Sequence, residues 1–268
     1  MLSENKINPQ DMYNRLFYHE EKKQKYLDTQ VAIYEVMAKY YQAVEEARLA
    51  LLEEVFHPTW AMRDNDVPDR DQINLEDKPT FIQRVRQHGP YSNYAADRVL
   101  ANLKLLAEGW AFVQITKTTS GNSTLFFLTE IEGTWMIVDK IWVNTAGDAM
   151  EEMDQVAEYR VLENLLHTYQ DAINSSHDQY LEQLLDQRWN AKYWGAQSTL
   201  ADKSRSAFFN ELLEAKLELS EILSINLFQT KLAVVQAECQ QDNFTSFYVL
   251  FYIEGSWKMA CERRVLRS

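Results

Sequence analysis

The chain has 268 residues and a formal net charge of −13. Because a single core rarely exceeds roughly 200 residues, this length predicts about two domains. Nucleic acids and anionic membranes are bound through lysine and arginine, so the negative charge weighs against both as partners. No apolar run approaches the roughly 18 residues of a membrane span, and residues 1–6 lack the features of a signal peptide. We therefore expect a soluble cytoplasmic protein.

The cysteine and glycine content weighs against several kinds of cofactor site. The two cysteines, Cys239 and Cys261, form no Cys-x-x-Cys pair, and no histidine lies near them at zinc-finger spacing. With only 7 glycines in the chain, no glycine-rich loop is present to hold a nucleotide phosphate. We expect no metal and no cofactor.

The chain opens with predicted helices. Residues 1–28 are expected to form an N-terminal helical extension, with Tyr13, Leu16 and Phe17 docked on the body of the protein. The next helix repeats apolar residues along one face, at the spacing of an amphipathic helix. These residues are Ile33, Val36, Met37, Tyr40 and Val44.

Two shorter helices and four strands follow. The second helix ends before His57-Pro58, because proline cannot continue a helix. The third is predicted to run from Asp77, as its N-cap, to Gly89. Strands are predicted from alternation and turn residues at 99–105, 110–118, 125–131 and 134–143. Three helices followed by an antiparallel meander form an α+β unit.

The second half of the chain repeats the first. Ala43 aligns with Ala172, an offset of 129 residues that also pairs the apolar faces of the two helices. Near the end of each half, residues 131–135 (IEGTW) match residues 253–257 (IEGSW) at an offset of 122. Two matches in the same order predict a tandem duplication with a shorter middle in the second copy.

The repeat also predicts the domain boundaries. The first domain is expected at 29–147 and the second at 155–268. The acidic segment 148–154 would link them.

The His57-Pro58-Thr59 stop and the closing motif at 133–140 (GTWMIVDK) resemble the nuclear transport factor two-like superfamily. Within it they are similar to the lumazine-binding and polyketide-cyclase-like branches. The resemblance covers about residues 30–146, and 157–266 more loosely. It implies two cone-shaped units, each a strongly curved sheet wrapped round a long first helix with an open, largely apolar mouth. That superfamily includes isomerases, cyclases, dehydratases, non-catalytic binders and protein adaptors, so fold alone leaves function open.

The resemblance points to two catalytic candidates. Residues 37–40 resemble the stretch of ketosteroid isomerase that carries its catalytic tyrosine, here Tyr40, and Asp64 falls at the position of its proton-abstracting aspartate. The implied roles are a hydrogen bond to a developing enolate and a proton shuttle. The third polar residue of that enzyme falls near Thr124, so the oxyanion pair is incomplete. The alternative is a core tyrosine and an aspartate in a polar loop, residues 63–66.

Asp139 is a third candidate. It is predicted to share a strand face with Trp135, Ile137 and Ile141 and so to point into the interior. Burial would raise its pKa, as a general acid or base requires, unless an arginine or backbone donors satisfy it. The second copy has Cys261 and Tyr193 at the positions of Asp139 and Asp64, so chemistry is expected in the first copy alone.

His57, Trp60 and Trp189 are further candidates for ligand binding. The two tryptophans occupy the same position in both copies and could stack on a flat ligand, although core packing would explain them equally. His57 could instead simply mark the end of the second helix.

The other face of the last strand suggests a partner surface. In the first copy it carries Met136, Val138, Lys140 and Trp142, and an apolar sheet face normally needs cover. The two copies could pair internally as a pseudo-dimer, or the first copy could form a homodimer with another chain.

These observations lead to three functional hypotheses. The first is a module that binds a small apolar or aromatic molecule in a pocket of the first copy, lined by Tyr40, Trp60 and Asp139 with Asp64 at the rim. The second is an isomerase, cyclase or dehydratase that uses Tyr40 with Asp64 or Asp139. The third is a protein-interaction scaffold whose cones are filled.

Overall fold

The computed structural model describes residues 9–64, 73–107, 109–120, 122–142, 154–194, 200–211, 219–228, 232–239 and 243–266. The first copy contains α1 (Pro9–Glu45), α2 (Leu49–Val55), β1 (Phe56–Asp64), β2 (Asn74–Asp77), α3 (Lys78–His88), β3 (Arg98–Ala107), β4 (Trp110–Lys117), β5 (Ser123–Ile131) and β6 (Thr134–Trp142). The second contains α4 (Gln155–Asn174), α5 (Asp178–Leu184), β7 (Leu185–Trp194), β8 (Leu200–Ser204), α6 (Arg205–Glu211), β9 (Leu219–Phe228), β10 (Leu232–Cys239), β11 (Phe244–Ile253) and β12 (Ser256–Leu266).

The two copies have the same sheet topology. The strand orders are β2-β1-β6-β5-β4-β3 and β8-β7-β12-β11-β10-β9. Neighbouring strands are antiparallel except for the pairs β1–β6 and β7–β12, which are parallel. The predicted α+β class and the two similar units are confirmed. The sheets differ from the predicted meander because each has two additional strands and one parallel pair.

The additional strand β1 begins where α2 ends. Phe56 pairs with Ile137, but regular pairing resumes only at Ala61, opposite Asp139. Pro58 lies inside this irregular stretch, where its missing N–H costs no ladder hydrogen bond. A proline that ends a helix is therefore also compatible with the start of a strand. Asp64, which the alternative interpretation assigned to a polar loop, is the last residue of β1.

Three helices cover the inner face of the first sheet. α3 begins as predicted, with the Asp77 carboxylate accepting a hydrogen bond from the Thr80 amide, and it ends at Gly89, whose φ of 77° favours glycine. The core that these helices form with the sheet is called the first cone, and its members include Ile33, Met37, Tyr40, Val55, Phe56, Trp60, Phe81, Val85, Phe126, Trp135 and Ile137. The second cone is built in the same way from Leu162, Leu166, Tyr169, Ile173, Leu181, Trp189, Phe208, Tyr248, Trp257 and Met259, among others.

A β-bulge in the last strand of each copy reverses the side-chain alternation. In the first copy Phe127 pairs with Asp139 but Leu128 pairs with Ile137, so Val138 is the extra residue. Trp135 and Ile137 therefore face the first cone, whereas Ile141 faces the opposite side of the sheet. The prediction that Asp139 shares a face with Trp135 and Ile137 is wrong for this reason. The second copy has the same shift between Val249 and Leu250.

The outer faces of the two sheets pack against each other. This sheet interface contains buried apolar residues of both copies: Trp110, Phe112, Leu125, Phe127 and Ile141 from the first, and Leu232, Val234, Phe247, Val249, Phe251, Cys261 and Val265 from the second. The rings of Phe127 and Phe247 meet edge to face, with centroids 6.3 Å apart. The face predicted for pairing included Lys140 and Trp142, but beyond the bulge both residues line the first cone instead.

The N-terminal extension and the linker are described only in part. Residues 9–28 continue into the first helix as one unbroken α1. The side chains of Tyr13, Leu16 and Phe17, residues 1–8, and the predicted linker except Asp154 lie outside the described part of the chain. None of the described helices combines the length and the apolar character that crossing a membrane would require.

Candidate functional site

The first cone contains a cavity of about 650 Å³, a size typical of small-molecule sites. It opens between β1, β2 and α3. The starts of β3 and β5 and the ends of β4 and β6 also line it. Its walls combine apolar and charged side chains, namely Met62, Asp64, Leu75, Glu76, Arg84, Tyr94, Arg98, Ile115, Lys117, Thr124, Lys140 and Trp142, among others.

Lys140 and two tyrosines form the polar centre of this cavity. The Lys140 side chain is 8% exposed, and its Nζ donates a hydrogen bond to the Tyr94 hydroxyl oxygen at 3.1 Å. The Tyr94 hydroxyl lies 3.0 Å from that of Tyr40. The ammonium is also 5.8 Å from the ring centroid of Phe81. A cation is therefore held among aromatic rings by a chain of hydrogen bonds.

The pKa values of the two hydrogen-bonded tyrosines, Tyr40 and Tyr94, are shifted in opposite directions. Burial raises the pKa of Tyr40 well above its usual value, and the neighbouring hydroxyl of Tyr94 adds to this effect. Burial also raises the pKa of Tyr94, but the charge of Lys140, the hydrogen bonds from Tyr40 and Lys140, and Arg98 together lower it below its usual value. Tyr94 is therefore the more acidic phenol and the one that lines the cavity.

Most other charges of the cavity wall have protein partners. Arg84 binds the Glu76 carboxylate through two nitrogens, at 2.9 and 2.7 Å. The Asp64 carboxylate accepts a hydrogen bond from the Asn74 amide at 3.4 Å. Arg98 stacks on the Tyr94 ring, with its guanidinium carbon 4.3 Å from the centroid.

The structure brings two of the sequence-predicted residues to this cavity. Asp64 lines the wall directly. Tyr40 is fully buried in the core and reaches the cavity only through Tyr94. Trp60 lies in the core of the cone, stacked on Phe56 with centroids 4.3 Å apart.

His57 and Trp189 also lie away from the cavity wall. The His57 ring nitrogen Nδ1 is 2.9 Å from the Thr59 hydroxyl oxygen. Burial and the nearby charge of Lys192 lower the pKa of His57 to about 4, so the ring is neutral near pH 7. Trp189 packs on Phe208 in the second cone, with centroids 4.8 Å apart.

Asp139 lies at the sheet interface, in an ion cluster with three cations. Its carboxylate accepts hydrogen bonds from Arg263 at 2.6 and 2.8 Å, from Lys192 at 3.1 Å and from Arg63 at 3.2 Å. Arg63 also donates to the side-chain oxygen of Asn190 in the other copy. Burial raises the pKa of Asp139, but the three cations, Arg263 foremost, outweigh it and hold the pKa well below its usual range. The carboxylate is therefore ionised at neutral pH.

Lys192 contributes a fully buried amine to this ion cluster. Its Nζ donates to the carbonyl oxygens of Thr59 at 2.7 Å and Val138 at 3.2 Å, in addition to Asp139. Burial and the charge of Arg263 lower the pKa of Lys192 to about 8, although Asp139 acts in the opposite direction.

We expect this shift to appear in the pH dependence of stability. The pKa of Lys192 is about 8 in the folded protein and roughly 10.4 in the unfolded chain. Between pH values of about 8 and about 10.4, the unfolded chain therefore binds more protons than the folded protein. The free energy of unfolding should therefore rise with pH in this window, by at most ~1.4 kcal/mol per pH unit. Urea unfolding of wild type and Lys192→Met at several pH values between about 8 and about 10 checks this. Equal pH slopes for the two proteins would contradict it.

The second cone has a different polar centre. Glu262 occupies the position of Lys140 at the offset of 122, and it is fully buried. It accepts hydrogen bonds from the Ser246 hydroxyl at 3.1 Å and the Tyr169 hydroxyl at 3.4 Å, and it forms an ion pair with Arg264. The buried charge of the second cone is thus neutralised within the protein.

Lys140 and Tyr94 were missed as candidates from the sequence. The signal for Lys140 was a single lysine inside the apolar run 135–142, but regular alternation assigned it to the outer face. Within the described stretches, no group of three His, Cys, Asp or Glu side chains is placed to hold a metal ion.

Comparisons with known proteins concern mainly half of the chain. Residues 28–143 match the sequence model of the family described as "Putative lumazine-binding". A solved structure of a nuclear transport factor two-like protein of unknown function from Silicibacter pomeroyi is 21% identical; the alignment covers 43% of this chain and 100% of that one, with a TM-score of 0.37. A similar protein from Shewanella baltica is 20% identical, with 44% and 94% covered and a TM-score of 0.38.

A structure described as a putative scytalone dehydratase, from Novosphingobium aromaticivorans, is 15% identical, with 41% and 84% covered and a TM-score of 0.31. Among curated proteins, no match to the chain was found. The resemblance of residues 28–143 to the lumazine-binding branch is thus confirmed.

Proposed function

We propose that the first domain binds a small molecule in the cavity of the first cone, with Lys140 and Tyr94 as its polar centre. The observation that carries this proposal is the position of Lys140. A nearly buried ammonium lines an open cavity, and Tyr94 supplies its hydrogen-bond acceptor. A few convergent polar groups in a largely preformed cavity are typical of small-molecule sites.

The cavity walls favour a flat organic molecule. Met62, Ile115 and Trp142 supply apolar surface beside the polar centre. Aromatic and aliphatic walls of this kind hold a planar ring through area burial and stacking. The family match supports the same conclusion, because the family is described by the binding of lumazine, a small planar heterocycle. A filled cone, as the scaffold hypothesis requires, is not supported by a cavity of this size.

An isomerase or dehydratase activity is the second candidate function. The lowered pKa of Tyr94 favours it, because a phenol beside a fixed cation can exchange a proton with a ligand. Asp64 lines the same cavity and could serve as the second proton carrier. The form of this hypothesis that uses Asp139 loses support, since three cations at the sheet interface hold that carboxylate.

Native mass spectrometry of the purified protein is the first test of binding, because a co-purified ligand would leave on denaturation. Titration with 2-naphthamide, an uncharged flat probe, gives a test that needs no natural ligand. Thr124 lines the cavity, so Thr124→Phe should fill part of it and weaken 2-naphthamide binding at least about tenfold.

Val161→Phe is the matched control. Val161 lies on a separate groove of the second copy, so this change should leave the affinity for 2-naphthamide unchanged. Equal affinities for wild type and Thr124→Phe, measured by calorimetry, would contradict binding in the first cone. If a co-purified molecule is converted by the wild type but not by Tyr94→Phe, the enzymatic alternative gains support.

A further inference from the structure

We propose that the ligand of the first cone is a planar organic carboxylate whose anionic group binds Lys140. This inference rests on the proposed binding function and names the chemical class of the ligand.

Lys140 differs from the other deeply buried cations of the described chain. Lys192, Arg63 and Arg263 share the carboxylate of Asp139. Arg264 has the carboxylate of Glu262. Lys140 forms no ion pair with any described carboxylate, and one of its three ammonium donors reaches the Tyr94 oxygen. A buried charge without a counter-ion is costly, so an anion entering the cavity gains a strong electrostatic interaction there.

The neighbouring charges do not neutralise Lys140. Glu76 is occupied by two hydrogen bonds from Arg84. Arg98 adds a second cation beside Tyr94, and its guanidinium lies over the rings of Tyr41 and Tyr94. The cavity wall carries the cations Arg84, Arg98, Lys117 and Lys140 and the carboxylates Asp64 and Glu76. Its balance is positive, which favours an anionic group of the ligand over a neutral one.

The second cone shows a carboxylate at the corresponding place. There Glu262 binds Tyr169, the equivalent of Tyr40, together with a cation of the same strand. At the position of Glu262 the first cone has Lys140, which donates to Tyr94, and Tyr94 lies beside Tyr40. A carboxylate supplied by the ligand would complete in the first cone the set of interactions that the second cone makes internally.

The test compares two probes of the same shape, 2-naphthoate and 2-naphthamide, by isothermal titration calorimetry. Wild type should bind the carboxylate more tightly than the amide. Lys140→Met should weaken 2-naphthoate binding about tenfold to hundredfold, because a hydrogen bond to a charged group is lost, and should weaken 2-naphthamide binding less, so that the preference for the carboxylate disappears. Lys140→Arg should retain the preference for 2-naphthoate.

The outcomes separate the inference from the proposed function. If 2-naphthamide binds in a Thr124→Phe-sensitive way but 2-naphthoate binds no more tightly to wild type, the cavity is real and the carboxylate inference is wrong. If neither probe responds to Thr124→Phe, the proposed function itself fails. The wild-type ratio of the two affinities needs no variant, so the test stands even if Lys140→Met does not fold.

Discussion

Replacing Asp139 with asparagine is expected to destabilise the protein by about 3–5 kcal/mol, because it leaves three buried cations without their shared carboxylate. Asparagine preserves the size of the side chain, so the loss would report charge rather than packing. The difference in the free energy of unfolding between wild type and variant should have its full size above the ordinary carboxyl pKa of about 3.9. It should shrink as the pH falls below this value, because the pKa of Asp139 is depressed in the folded protein. Urea unfolding of both proteins measures this.

Asp202→Asn provides a matched control for this prediction. Asp202 accepts a hydrogen bond from Asn190 at the edge of the same cluster, but its side chain is exposed. An exposed charge contributes little to the free energy of unfolding, so the loss of the Asp202 charge should cost less than about 1 kcal/mol. If Asp139→Asn unfolded at the same urea concentration as Asp202→Asn, the ion cluster would not stabilise the sheet interface.

Removing the Trp60 side chain is the second change with a large expected effect. Trp60 is 1% exposed and packs between Phe56 and Phe81, with centroid distances of 4.3 and 5.0 Å. Trp60→Ala would leave a cavity in the first cone and should cost about 3–5 kcal/mol. Thermal or urea unfolding checks the value.

Trp142→Ala also removes a tryptophan side chain, but from the cavity wall rather than from the core. Trp142 is half-buried, so its loss should cost only about 1 kcal/mol while weakening 2-naphthamide binding. Trp60→Ala should show the opposite balance, with a large loss of stability and, where the protein still folds, little loss of affinity. A Trp60→Ala protein of normal stability that no longer bound the probe would restore Trp60 as a ligand-binding residue.

The helices and the meander could be predicted because each follows one period over many residues. Ile33, Met37 and Tyr40 repeat at helical spacing, and all three are buried in the first cone. The Asp77 cap and the Gly89 stop are local signals that act within a few residues. The same reasoning missed β1, because Pro58 indicates the end of a helix. A strand tolerates this proline only because the pairing of β1 with β6 is irregular there, and β6 is distant in sequence.

The site was predicted less well because its geometry depends on a single extra residue. Alternation through 135–142 assigns Asp139 to the cone and Lys140 to the outside, and the bulge at Val138 exchanges the two. A bulge is decided by the pairing of two strands, so one strand read alone does not reveal it. Tyr94 lies in a loop without periodicity, and its role becomes visible only when Tyr40 and Lys140 are placed beside it.

The ion cluster at the sheet interface also determines which of the two units can pair with each other through this face. The acid comes from the first copy, whereas Lys192 and Arg263 come from the second, where the equivalent of Asp139 is Cys261. Two second copies paired through this face would bury four cations with no acid from Asp139 between them, an arrangement that electrostatics disfavours strongly. The two halves are therefore complementary in charge across this face, and pairing two second halves would require a new acid at the position of Cys261.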